Sequence, residues 1–164
     1  MIHRPIDFAR DRASVLERHC RINYACESPW AREIPYADYR AEWFSLTGQV
    51  DGFYRHLAQT AEDGRTVAEI LETEDGQTLG DLWAPFCEDK ESGFAFAEVQ
   101  DIYIEEAYRR LGLASELFRY VEAKARRHGA KVLRSGTGCV NAISMQLHEK
   151  LGFAPYRREF EKLL

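Results

Sequence analysis

The residues best placed to do chemistry lie in one run, Ile102-Tyr103-Ile104-Glu105-Glu106-Ala107-Tyr108-Arg109-Arg110-Leu111-Gly112-Leu113-Ala114. A β-rich stretch passes here through a short turn into a helical pattern. The first turn of a helix carries backbone N–H groups without intrahelical acceptors and the positive end of the helix dipole, a combination that binds phosphate or pyrophosphate. Gly112 lets a ligand approach the backbone, and Arg109 and Arg110 add positive charge beside it. The spacing excludes two common phosphate sites: no G-x-x-x-x-G-K-[ST] occurs, and Gly112 stands outside any G-x-G-x-x-G. A strand, a turn and one glycine also describe an ordinary packing turn, so the surrounding elements must decide.

Those elements read as a helical N-terminal part and a strand-rich remainder. Ile2 to Arg4 is expected as a short strand, followed by a helix capped by Asp7 or Asp11 and running to about Tyr24. Glu27-Ser28-Pro29 breaks it, and helices over Pro35 to Ser45 and Gly52 to Glu62 follow. Their aromatic residues read as core or as the wall of a substrate pocket. Val67 to Glu72 and Thr78 to Phe86 are expected as a hairpin turning at Asp75-Gly76, and Phe94 to Ile104 as one long central strand. Arg109 to His128 reads as an amphipathic helix ended by Gly129. Val132 to Thr137 is a weaker strand, Asn141 to Lys150 a short helix, and Tyr156 to Leu163 a closing strand. The fold class is therefore α/β (α+β): a mixed, mostly antiparallel central sheet with helices on both faces, formed by residues 1–164 as a single domain.

Composition narrows the partners. A formal net charge of −5 disfavours a nucleic-acid backbone and suits a cationic small molecule or basic peptide. The four cysteines form no C-x-x-C pair and no cluster with histidine, so no metal site is expected and reduced cytoplasmic thiols are the default. No apolar run approaches the roughly 20 residues of a membrane span, and Met1 to Asp7 has no apolar signal core. The expected location is the cytoplasm, with no membrane and no nucleic-acid partner, and with a homodimer as an open option.

Arg109-Arg110-Leu111-Gly112-Leu113-Ala114 resembles the acetyl-CoA motif of the GNAT N-acetyltransferases, [QR]-x-x-G-x-[GA]. Asn141 to Phe153 is similar to the family's second block, N-x-x-[AS]-x-x-[LF]-Y-x-K-x-G-F, with His148 at the tyrosine position. The resemblance implies acetyl-CoA as acyl donor, a GNAT-type sheet, and direct transfer of the acetyl group to a primary amine of a small molecule or peptide. It implies that Ile102, Tyr103 and Ile104 meet the pantetheine arm, that Arg109, Arg110, Leu111, Gly112, Leu113, Ala114 and Ser115 hold the pyrophosphate, and that Asn141 and Ser144 line the pantetheine side. Asn141 is also a good helix cap in its own right.

Acyl transfer requires a neutral amine, and an alkyl ammonium of pKa near 10.4 leaves about one molecule in a few thousand as free base at pH 7. A carboxylate that accepts the proton is the usual remedy. Glu98 is the candidate base: it stands on the strand leading into the loop, where some GNAT enzymes carry a glutamate, and two-residue alternation puts it on one face with Gln100, Ile102 and Ile104. Asp101, on the opposite face by the same count, is the alternative, and an ordinary solvated role for Glu98 stays open. In GNAT enzymes the tyrosine is thought to protonate the departing thiolate; His148 could do so near neutral pH or could simply pack. Leu133-Arg134-Ser135-Gly136-Thr137-Gly138 turns small and polar where the family tends to alternate large apolar residues, which either widens the acceptor side or marks a loose edge. A protein N-terminal or ribosomal-protein acetyltransferase and a non-catalytic CoA-binding regulatory module are the competing functions.

Overall fold

The computed structural model describes residues 1–26, 33–160 and 162; the expected break at Glu27-Ser28-Pro29 falls outside them. The elements are β1 (Ile2–Pro5), α1 (Arg12–Cys26), α2 (Tyr36–Ser45), α3 (Thr47–Ala61), β2 (Val67–Glu72), β3 (Thr78–Ala84), β4 (Phe86–Glu88), β5 (Ala95–Val99), β6 (Asp101–Ile104), α4 (Leu113–Arg127), β7 (Val132–Ser135) and α5 (Ala142–Lys150), with a 3-10 turn at Glu106–Tyr108 before α4. One sheet has the order β1-β2-β3-β6 and is antiparallel; a second, β4-β5-β7, pairs β4 with β5 antiparallel and β5 with β7 parallel. This is the mixed, mostly antiparallel α+β architecture expected, divided into two sheets.

The division corrects two expected strands. Thr78 to Phe86 breaks at Pro85, which has no N–H to give to a ladder, and Phe94 to Ile104 breaks at Gln100. β5 is central in its sheet, but β6 is the last strand of the other, so only half of that segment is central. The registers Phe86↔Ala97 and Trp83↔Asp101 set three steps on one strand against four on its partner, so one extra residue is inserted near Gln100. The N–H of Gln100 donates to the Trp83 carbonyl at 3.0 Å and that of Glu98 to the Pro85 carbonyl at 3.1 Å. This is a β-bulge, and it reverses the side-chain alternation beyond it.

Helices cover both faces. Val67, Leu71, Leu82, Val99 and Ile104 pack with Leu117, Phe118 and Val121 of α4. Ile70 and Trp83, on the other face, pack with Val15 and Leu16 of α1 and Val50, Tyr54 and Leu57 of α3. Tyr120 of α4 donates to Glu69 at 2.8 Å, and Glu69 also meets His3 at 2.7 Å, which ties α4 to β1 and β2; burial and the Glu69 carboxylate push the Tyr120 phenol up to about 12. Gly80 is fixed by close approach, since a Cβ there would fall on the Tyr103 carbonyl oxygen.

Other boundaries shift. α3 begins at Thr47 rather than Gly52, α4 begins at Leu113 rather than Arg109, and β7 stops at Ser135 rather than Thr137. The expected closing strand does not form over residues 156–160, which are irregular and exposed; Glu161 and Leu163 lie outside the described residues.

A charged cluster lies under α1. Arg18 donates to Glu105 at 2.8 Å and stands 3.6 Å from Asp81, while Arg18 Nη1 and Asp81 Oδ1 have no hydrogen-bond partner among the described residues. Burial drives the Asp81 carboxyl well above its ordinary range, against the pull of Arg18. Such a carboxyl binds its proton more tightly in the folded chain than in the unfolded one, so folding loses stability as pH rises above the ordinary carboxylate value. Asp81→Asn removes that loss. In urea unfolding, its stability relative to the natural protein should climb as pH rises above about 4; a difference that stays constant with pH would contradict the raised carboxyl.

Candidate active site

The bulge builds the cleft. The parallel pairing of β5 with β7 ends at Val99↔Ser135; beyond it β6 continues beside β3, while the other chain leaves through Gly136-Thr137-Gly138. Glu105 donates its N–H to the Leu79 carbonyl at 2.8 Å, so the alternation of an antiparallel ladder turns the backbone groups of Tyr103 toward β3 and those of Ile102 and Ile104 toward the open edge. The Tyr103 side chain instead lines a groove of about 420 Å³ beside α1, with Glu17, Arg21 and Glu106 among its walls. A Cβ on Gly138 would fall on the Cys26 carbonyl oxygen. The small residues after β7 therefore let the end of α1 pack against them and close that side of the cleft.

The loop into α4 presents donors. Arg110 has φ 63° and Gly112, at the N-cap, has φ 86°. The backbone N–H groups from Leu111 to Ser115 meet no protein acceptor among the described residues, and a Cβ on Gly112 would find nothing within 4 Å. Left-handed residues that gather free N–H groups at a helix start make an anion-binding concavity. Arg109 does not reach outward: its Nε donates to the Ile104 carbonyl at 2.9 Å and its guanidinium lies 5.4 Å from the Tyr103 ring centre. It fastens the loop to β6, although Arg109 and Arg110 are both exposed.

The likeness of this fold to solved structures is extensive. The chain superposes on an aminoglycoside antibiotic 6'-N-acetyltransferase, AAC(6')-Ih, from Acinetobacter baumannii with TM-score 0.64 and 20% identity, covering 99% of this chain and 98% of that one. A putative acetyl transferase from Pyrococcus furiosus gives 0.69 and 20% over 99% and 100%, and a ribosomal-protein-alanine N-acetyltransferase from Brucella melitensis biovar Abortus 2308 gives 0.63 and 15% over 100% of both. At these identities the likeness concerns the fold alone. No curated protein matches the sequence. The sequence profile of the Acetyltransferase (GNAT) family, however, matches residues 18–153. The chain belongs to the GNAT acetyltransferases. It is thereby an acyltransferase dependent on acetyl-CoA, and the open edge of β6 with the donor-rich start of α4 fits such a donor.

In this GNAT acetyltransferase the bulge changes what the strand offers. Val99, Ile102 and Ile104 all face α4, so Glu98 does not share a face with Ile102 and Ile104; it lies on the opposite side, half-buried, in register with Arg134. Its charge adds to burial in pushing the nearby Cys87 thiol up. Asp101 falls on the same side as Glu98, not the opposite one, but under α1, where its carboxylate meets His19 Nδ1 at 2.8 Å. Asn23 takes the other ring nitrogen at 3.1 Å and the ring stacks on Phe53, with centres 3.5 Å apart. Asp101 is buried and partnered. This His19–Asp101 pair is not legible in the sequence, since only the bulge turns Asp101 toward α1.

On the α4 side, Asn141 Oδ1 accepts the N–H of Ser144 at 3.2 Å and so caps α5. His148 stands one turn further on: Nδ1 lies 2.7 Å from the Ser144 carbonyl and Nε2 2.8 Å from Ser135 Oγ. The rings of Phe118 and Phe153 meet it edge-on, at 5.2 Å and 5.1 Å. Ser135 lies in the small, polar stretch after Leu133, where two-residue alternation continues the inward face of Leu133. Among the described residues no group of three or more His, Cys, Asp or Glu could hold a metal ion, and no helix is long and apolar enough to cross a membrane.

Gly112→Val should reduce acetyl-CoA affinity sharply, because the side chain enters the open space before the free N–H groups. The left-handed backbone adds a folding cost of about 1–2 kcal/mol. Calorimetric titration of the folded variant checks this, and wild-type affinity would remove the loop from the binding site.

Proposed function

We propose that this enzyme is an N-acetyltransferase that moves the acetyl group directly onto a primary amine of a small molecule or peptide. The observation that carries the reading is the placement of candidate groups on opposite faces of the sheet at the end of the β5–β7 pairing: Glu98 on the face away from α4, His148 and Ser135 on the face toward it. Acetyl-CoA supplies an acyl thioester. The N–H groups of residues 111–115 hold its pyrophosphate, with Arg110 adding charge, and the Ile102 and Ile104 backbone positions the pantetheine. Tyr103 contributes no backbone group to that edge, and Asn141 acts through the helix start that it caps.

Glu98 accepts the proton of the incoming ammonium. It is half-buried at the end of the pairing and is held by no ion pair among the described residues, whereas Asp101 is committed to His19. On the other face, His148 is the proton source for the departing sulfur. The negative charge of the chain favours encounter with cationic acceptors, and a thiol-release assay over a panel of small amines and N-terminal peptides identifies the class.

Glu98→Gln keeps the shape and removes the base. Acetyl-CoA affinity should stay unchanged while turnover falls by about 10²-fold or more. The loss should shrink at high pH and with acceptors of lower amine pKa, because more of the acceptor then arrives neutral. Wild-type turnover near neutral pH, with chemistry rate-limiting, would leave proton removal to ordered water.

A further inference from the structure

His148 has no free vertex with which to touch a sulfur atom. A carbonyl oxygen only accepts, so the nitrogen 2.7 Å from the Ser144 carbonyl, Nδ1, must carry a hydrogen. In the neutral ring Nε2 is then the acceptor, and its partner at 2.8 Å is the Ser135 hydroxyl. Ser135 is the last residue of β7, paired with Val99 where the cleft opens. We propose that Ser135 is the catalytic acid of this site and that His148 acts only through it, as the proton reservoir and positioning residue. The inference rests on the acyl-transfer reading and assigns a residue that neither sequence motif contains.

The proton inventory closes. Before transfer, His148 carries hydrogen on both nitrogens, Nδ1–H donating to the Ser144 carbonyl and Nε2–H to Ser135 Oγ, which turns the Ser135 hydrogen toward the cleft. Glu98 passes the ammonium's first proton to solvent, and as the amine nitrogen bonds to the acyl carbon Glu98 receives the second. The carbon–sulfur bond breaks with its electron pair on sulfur, Ser135 gives its proton to that sulfur, and Oγ takes the Nε2 proton from His148. His148 ends neutral, hydrogen-bonded as the structure has it, and regains a proton from solvent. The groups packed on the ring are Phe118 from α4, Phe153 from the chain after α5, Ser144 from α5 and Ser135 from β7. None of these groups is charged.

Three variants test the relay: Ser135→Ala, Ser135→Thr and His148→Gln. Ser135→Ala should bind acetyl-CoA as the natural protein does and turn over at least about tenfold more slowly. Ser135→Thr restores a hydroxyl and should recover most of the rate. The double variant Ser135→Ala/His148→Gln should be no slower than the slower single one, as expected of residues that act as a unit. Independently of turnover, nitrogen NMR of the unliganded protein should find neutral His148 protonated at Nδ1. Wild-type turnover by Ser135→Ala with chemistry rate-limiting, or a neutral ring protonated at Nε2, overturns the relay. If Glu98→Gln is still slow in that event, the acyl-transfer reading survives without it; failure of the natural protein to bind acetyl-CoA overturns both.

Discussion

One inserted residue organises the site. Between Phe86↔Ala97 and Trp83↔Asp101 the β5–β6 side holds one more residue than the β3–β4 side, and the partner strand contains Pro85 at that point. Proline offers a carbonyl and no N–H, so the ladder can only be stitched by donors from the other strand, and Glu98 and Gln100 supply them. An uninterrupted pairing would have continued β5 into β6 in one plane and left β6 no edge of its own. The bulge bends the strand away from β7 and uncovers the backbone of Ile102 and Ile104.

The same insertion decides which carboxylates are usable. Without it Asp101 would project toward α4 and Glu98 would share a face with Ile102. With it, both carboxylates turn toward the α1 side, and the helix divides their fates: α1 and α3 enclose Asp101 with His19 and Phe53, while Glu98 stays half-buried beside Arg134. The proton-accepting and proton-donating candidates are thereby separated by the thickness of one sheet. In the proposed reaction, acceptor and leaving group are then served from opposite sides.

Much of this was legible in the residues, because it depends on local chemistry. β2 follows from the hairpin turn at Asp75-Gly76 behind it, α2 from Pro35 ahead of its aromatic run, the end of α4 from Gly129, and the start of α5 from Asn141, whose side chain caps it. Properties that depend on partners were not legible. Phe94 to Ile104 is rich in aromatic and β-branched residues that favour a strand, and the break coincides with Pro85 on the neighbouring strand segment. Arg109 suits a first helical turn by propensity, yet it is drawn out of the helix by its bond to the Ile104 carbonyl. Tyr156 to Phe160 has strand-forming residues but no edge that pairs with it among the described residues. The first motif block coincides with the loop whose N–H groups the structure leaves free, whereas the contact of the inward serine of β7 with His148 depends on how β7 and α5 pack.

The two ends of α4 show how the site is kept ready. At its C-terminus the polar backbone is closed: the N–H groups of His128, Gly129 and Ala130 donate back to carbonyls of residues 124–126, and Lys124, Arg126 and Arg127 offset the negative end of the dipole. Lys124 also donates to the Thr66 carbonyl at 3.1 Å, and Tyr120 holds Glu69. At the N-terminus the groups from Leu111 to Ser115 are left without protein partners, and Arg110 sits in a conformation that costs an L-residue about 1–2 kcal/mol. A free helix with such an end would fray or recruit a capping side chain. Here the apolar stripe of Leu117, Phe118 and Val121 is clamped onto β2, β3 and β5, and Arg109 pins the loop to β6, so the donors cannot turn inward to satisfy themselves. The stability of the α4 core thus goes into keeping unsatisfied N–H groups aimed at the cleft, where an anion gains from them without reorganising the backbone.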